Sequence, residues 1–231
     1  MKGLKFLFII ALIAISLVGF SQKTFIGSIF YKVEIDAEDL DPQTKAAMFT
    51  NFNIITNGSK TRVELSSPMY SITTVTDNQT GIGFTLFDGI GLKMAADLTK
   101  EYIEKEKAKS AEKESASKPQ INYIDETKTI AGYKCKKAEI IEESSEPIIV
   151  FYTEDIVLPK NDNSSTLSMI SGFKDLKGFP MEYIIESDGS SMKFMVNEVL
   201  TKKPKASLFS IDDDYTKMPI DEMMRMLSGG E

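Results

Sequence analysis

The sequence predicts a mainly β protein built on antiparallel strands. Three observations predict it. Apolar and polar residues alternate with period two along most of the chain, Asn-Gly and Asp-Gly pairs separate the alternating runs, and the strand–helix–strand rhythm of a parallel sheet is missing. Many consecutive hairpins in one chain fit a barrel, a half-barrel or a sandwich. The 231 residues, 42% of them hydrophobic, are enough for one domain with a substantial core.

Residues 1–21 read as a secretory signal peptide. Lys2 and Lys5 form the positive start, 6–18 an apolar stretch short for a membrane span, and Gly19 and Ser21 the small residues before a cut at Gln22. No cysteine lies near the cut, which excludes a lipoprotein anchor there. The mature chain, 22–231, reads as a single β-rich domain with no transmembrane segment. It is expected in the periplasm or at the outer surface of a Gram-negative-type bacterium.

The first strand carries Ile29, Tyr31, Val33 and Ile35 on one side and Phe30, Lys32, Glu34 and Asp36 on the other. Asp41-Pro42 opens a short helix to about Phe49, with Asp41 as cap and Pro42 at the first helical position. Strands at 52–56 and 61–65 flank Asn57-Gly58, the strongest short hairpin signal. A further pair, 70–76 and 81–87, turns at Asp77-Asn78-Gln79, and Asp88-Gly89 leads to 93–102. Residues 104–118 contain little but Glu, Lys, Ala and Ser, and are expected as a charged flexible loop or a frayed exposed helix. Strands resume at 121–130, 132–138, 148–152, 181–186 and 192–200, the last two joined by Asp188-Gly189. Residues 160–172 read as a loop with a short helix, 207–211 as a last short strand. Residues 221–227 read as a Met-rich helix capped by Asp221 and ended by Gly229-Gly230. The total is roughly ten or eleven strands with two or three short helices.

Composition excludes much. With 27 basic and 34 acidic residues the formal charge is −7, so nucleic-acid binding is not expected. There is no histidine, which removes His-based triads and His metal sites, and one cysteine, which removes an intrachain disulfide and a Cys cluster. Cys135 reads as a buried core residue, since it has no histidine to act as its base. Asp212-Asp213-Asp214 lacks the ligand spacing of a calcium loop and reads as a solvated turn. No nucleophile elbow, phosphate loop or dinucleotide fingerprint is present. The expectation is therefore no catalytic residue, no metal and no cofactor. A hydrolase using carboxylates alone, on strand residues such as Glu34, Glu64, Glu139, Glu154 and Glu186, is a distant alternative.

Local patterns resemble a group of uncharacterised exported proteins related to the GLPGLI type. Asn57-Gly58-Ser59-Lys60-Thr61-Arg62-Val63-Glu64 resembles their first hairpin, and 126–138, with Gly132-Tyr133-Lys134-Cys135, their central signature. Phe151-Tyr152-Thr153-Glu154-Asp155-Ile156 resembles the strand that follows. Gly178 and Pro180 sit where the namesake motif falls, and Leu208-Phe209-Ser210-Ile211 with Tyr215 resembles the ending, although Asp212 to Asp214 replace its Pro and Gly. The resemblance implies the lipoprotein-carrier fold of LolA and LolB: a strongly curved antiparallel sheet, an open half-barrel, with short helices on its concave face.

Same-parity apolar sets on several strands then become candidates for lining a cavity: Tyr31, Val33, Phe52, Ile54, Val63, Leu65, Phe84, Leu86, Met181, Tyr183 and Phe194. A closed core explains the same residues without a ligand. Arg62 is expected either in a cross-strand charge pair or at the cavity rim, against a headgroup or a partner. Two functions follow. One is non-enzymatic binding or carriage of a lipid or other hydrophobic group. The other is a protein-interaction module of the cell envelope with a filled core.

Overall fold

The computed structural model describes residues 23–36, 40–89, 91–113, 118–141, 146–159, 173–187 and 190–228. The expected signal peptide, the loop at 160–172, and the turn pairs Asp188-Gly189 and Gly229-Gly230 lie outside them. Among the described residues twelve strands form one sheet: β1 (Gly27–Asp36), β2 (Asn51–Thr56), β3 (Lys60–Ser66), β4 (Tyr70–Asp77), β5 (Gly83–Gly89), β6 (Leu92–Leu98), β7 (Gln120–Ile130), β8 (Tyr133–Ile141), β9 (Ile148–Thr153), β10 (Phe179–Ser187), β11 (Ser190–Leu200) and β12 (Thr216–Lys217). Their order is β12-β6-β5-β4-β3-β2-β1-β11-β10-β9-β8-β7. The sheet is open and curved, mainly β as expected, and mixed rather than wholly antiparallel because β12 runs parallel to β6.

This order is two meanders joined at the centre. The chain starts at β1 and walks outward to β6. It then crosses to the far edge at β7 and walks back to β11, which pairs with β1 from Ser28–Leu200 to Asp36–Ser191. The crossover contains helix α2 (Lys100–Lys113). The segment 104–118, expected to be a charged loop or a frayed helix, is thus helical through Lys113. Thr99 starts it, accepting the amide of Tyr102 on its side chain and that of Ile103 on its carbonyl. The pairs Lys109–Glu106 at 2.6 Å and Lys100–Glu104 at 3.7 Å stabilise it locally.

Local chemistry explains the turns. At Asn57-Gly58 the asparagine Oδ1 accepts the amides of Ser59 and Lys60, and Gly58 takes a φ of +94° that favours glycine. Asp77 does the same for Gln79 and Thr80. Helix α1 (Pro42–Ala47) is capped by Asp41, whose carboxylate accepts from Gln43 and Thr44. None of its residues is buried, and Phe49 just beyond it packs edge-on against Tyr70 of β4.

Two expectations at the C-terminus are corrected. Residues 207–211 are not a strand: Ala206–Phe209 is a 3-10 turn closed by i to i+3 bonds such as Leu208 N–H to the Lys205 carbonyl. Helix α3 (Ile220–Leu227) starts after Pro219 rather than at Asp221, and no side chain caps it. Proline supplies the fixed φ that opens a helix without a capping oxygen. Asp221 and Glu222 instead lie in the first turn, where negative charge suits the helix dipole.

The main core lies on one face of the sheet, called here the core face. Ile29, Tyr31 and Val33 of β1, Phe52 and Ile54 of β2, Tyr183 of β10, and Phe194 and Val196 of β11 are all buried on it. Full burial of each such side chain contributes on the order of 2 kcal/mol. This cluster therefore holds the two meanders together across their seam. A second cluster, Phe87, Met94, Ala96 and Met223, seats α3 on the outer strands of the first meander. A third, Ile55, Val75 and Phe209, lies on the opposite face.

Candidate functional site

Strand alternation and register decide which expected lining residues meet. Tyr31, Val33, Phe52, Ile54, Val63, Leu65, Met181, Tyr183 and Phe194 all belong to the core-face cluster, Leu65 at its partly buried margin. Phe84 and Leu86 do not. They pair with Val75 and Thr73, and Val75 in turn pairs with Arg62, so both point to the opposite face. The structure thus joins the expected set across β1, β2, β3, β10 and β11 and separates the two residues of β5.

The centre of the core face is aromatic. Tyr31 lies 5.1 Å from Phe52 and 6.4 Å from Tyr183, ring centre to ring centre. Tyr183 stacks on Phe194 at 4.7 Å and meets Phe173 at 4.7 Å. The Tyr31 hydroxyl donates to the Pro180 carbonyl at 2.5 Å. Pro180 sits at a register shift in β10, a place where a strand tolerates the missing N–H of proline. Burial pushes the Tyr31 hydroxyl well above its ordinary pKa, helped by Tyr183, and burial alone raises that of Tyr183. Both stay protonated, and Tyr31 acts as a donor. Among the described residues the cluster's non-strand members are Phe25, Ile156, Phe173 and Leu176, with Leu158 against them.

Arg62 works on the opposite face. Its guanidinium meets Glu64 at 2.7 Å, and donates to the Leu208 carbonyl at 3.2 Å and the Thr73 hydroxyl at 3.3 Å. Leu208 belongs to the 3-10 turn whose Phe209 packs on Ile55 and Val75. Arg62 therefore fastens the C-terminal turn to the sheet.

Among the described residues, open clefts border this architecture. One of about 480 Å³ runs between Leu92, Lys93, Met94, Met218 and Met226. Lys93 bridges Asp214 at 2.8 Å and Asp88 at 3.2 Å there, and hydrogen bonds to these carboxylates, Asp214 first, keep its ammonium firmly protonated. Asp214, part of the acidic run, is thus paired with a lysine. Among the described residues no group of His, Cys, Asp or Glu is arranged to hold a metal ion. Another cleft, about 340 Å³, is lined by Val75, Ile82 and Phe84, with Lys60 and Asp77 beside them. Phe84 is the one expected lining residue at either cleft.

Cys135 is fully buried. Burial raises its thiol pKa, and it donates weakly to the Tyr133 carbonyl at 3.4 Å. One feature carried no sequence signal. Lys128 reaches Glu182 at 2.7 Å and lies 3.8 Å over the Phe151 ring. Register shifts in β7 and β10 bring these together, and period-two reading does not locate such shifts.

The fold and its aromatic core face define a mainly β, open-sheet protein. A family described as N-glycanase peptide, N-terminal domain, matches residues 93–165, less than half of the chain. The structure is similar to that of PNGF-II, with a TM-score of 0.46 and 16% identity, covering 89% of this chain and 34% of that one. The chain thus spans about a third of that protein's length. It is also similar to lipoprotein LppX of Mycobacterium tuberculosis, with a TM-score of 0.33 and 10% identity over 78% of this chain and 89% of that one. LprF from Mycobacterium bovis gives 0.33 and 10%, over 78% and 88%. No curated protein matches the chain. Among the described residues no helix is long and apolar enough to cross a membrane.

Proposed function

We propose that this is an exported envelope protein, without catalytic activity of its own, that binds or carries a hydrophobic group such as a lipid or acyl chain on the core face. One observation carries the reading. Among the described residues all twelve strands belong to one sheet, so no second sheet packs on the aromatic centre of that face, and the ring set against Tyr183 from outside the strands is Phe173. The resemblance of its motifs to exported GLPGLI-related proteins supports the location. In this reading Tyr31, Phe52, Tyr183 and Phe194 form the floor of the site.

A second reading is an envelope interaction module with a filled core. The complete burial of Tyr183 and Phe52 favours it, and so does the match to a domain described as the N-terminal part of an N-glycanase. Native mass spectrometry of residues 22–231 purified from a bacterial periplasm separates the two. A mass excess that organic extraction removes, yielding lipid near one per protein, supports carriage. A clean apo mass with no displacement of a fluorescent fatty-acid probe overturns it and leaves the interaction module.

A further inference from the structure

We propose that the Tyr183 hydroxyl anchors the carbonyl group of an acyl-chain ligand on the core face. This rests on the carrier reading above and names the polar contact within it.

Tyr183 is fully buried, and among the described residues its hydroxyl has no hydrogen-bond partner. A buried hydroxyl without a partner is rare in native structures and destabilising. The contrast with Tyr31 sharpens the point. Two tyrosines lie 6.4 Å apart on one face, and Tyr31 has a backbone acceptor whereas Tyr183 has none. Packing does not require the second hydroxyl. The ring of Tyr183 stacks on Phe194 and meets Phe173, contacts that phenylalanine would make equally well. A polar atom that packing does not need and the chain does not satisfy is what a ligand group would use.

The ligand's chemistry follows from the surroundings. The phenol stays protonated, so it offers a donor and needs an acceptor. Its neighbours are rings, which provide no counter-charge, so an ionised carboxylate is disfavoured. A neutral ester or amide carbonyl on an apolar chain fits both conditions. Phe173, the ring against Tyr183 that does not come from the sheet, is the contact such a chain would replace.

The test compares methyl laurate with dodecane, which lacks only the ester. Each is equilibrated with delipidated protein, excess is removed, and retained ligand is extracted and quantified. The wild-type protein is expected to favour the ester by on the order of tenfold beyond its partition in octanol. Tyr183→Phe is expected to abolish that preference, keep dodecane, and melt no lower than the wild type, because it removes an unsatisfied group. Equal retention of both ligands by the wild type, or an ester preference that survives Tyr183→Phe, overturns the anchor and leaves the carrier reading standing. A Tyr183→Phe protein that melts well below the wild type also overturns it, by showing that the hydroxyl serves an internal bond. Retention of neither ligand by the wild type overturns the anchor and the carrier reading together.

Discussion

At the residue scale, the β7–β8 turn has an unused route to stability. Ala131 and Gly132 both have positive φ, +47° and +85°, the pattern of a tight hairpin turn that favours Asn-Gly. Alanine is strained there and exposed, so Ala131→Asn is expected to raise stability by about 0.5 kcal/mol, read from urea unfolding. Asp77 gives a pH dependence. The Thr80 amide leads the hydrogen bonds that hold its carboxyl below the ordinary range. A depressed carboxyl favours the folded state above its unfolded pKa, about 4, and the benefit fades as pH falls through the folded value. Asp77→Asn should therefore melt lower than the wild type at pH 7, with the gap closing towards pH 2. A constant gap would assign the effect to geometry alone. Alternation made the face of Tyr31 or Phe52 legible in the sequence. It could not show that Tyr183 lacks a partner, because that depends on which carbonyls lie across the core.

At the element scale, helix α3 shows which apolar residues matter. Met223 is fully buried against Phe87, Met94 and Ala96, whereas Met224 and Met226 are exposed. Met223→Ala is expected to cost about 2–4 kcal/mol in urea unfolding, and Met224→Ala close to nothing. Long alternating runs were readable as strands, and so was the helix behind Asp41-Pro42. Short ones were not. Leu208 to Ile211 is too brief for its period to distinguish a strand from a 3-10 turn, and what fixes it is tertiary: Phe209 inserted on Ile55 and Arg62 bonded to Leu208. The two-residue β12 depends in the same way on β6, which it joins through Thr216–Met94 and Lys217–Ala95.

At the scale of the whole molecule, the motifs that looked separate in the sequence meet in space. Arg62 of the first hairpin bonds Leu208 of the ending. Phe179 and Pro180 pair with Thr153 and Tyr152 of the following strand, and Lys136 of the central signature reaches Glu154 at 2.9 Å. Their spacing records contacts within the fold, which explains why they spoke clearly of architecture and faintly of activity. The two-meander order was not legible, since hairpin signals fix neighbours in sequence and leave open which outer strands join. A cut between Lys113 and Lys118 divides the chain into the two meanders, which the buried seam should keep together. Fragments nicked there are expected to co-elute under native conditions, since β12, α3 and the 3-10 turn of the second fragment also dock on the first meander, and separation would show the seam and these contacts together too weak to hold. The same seam governs what happens while the protein is being made. β1 emerges long before β11, its partner on one side. At ordinary rates of synthesis β1 waits on the order of ten seconds with one edge bare. An exposed strand edge carrying Ile29, Tyr31 and Val33 is a template for pairing with the wrong chain, so the nascent protein needs guarding until β11 arrives.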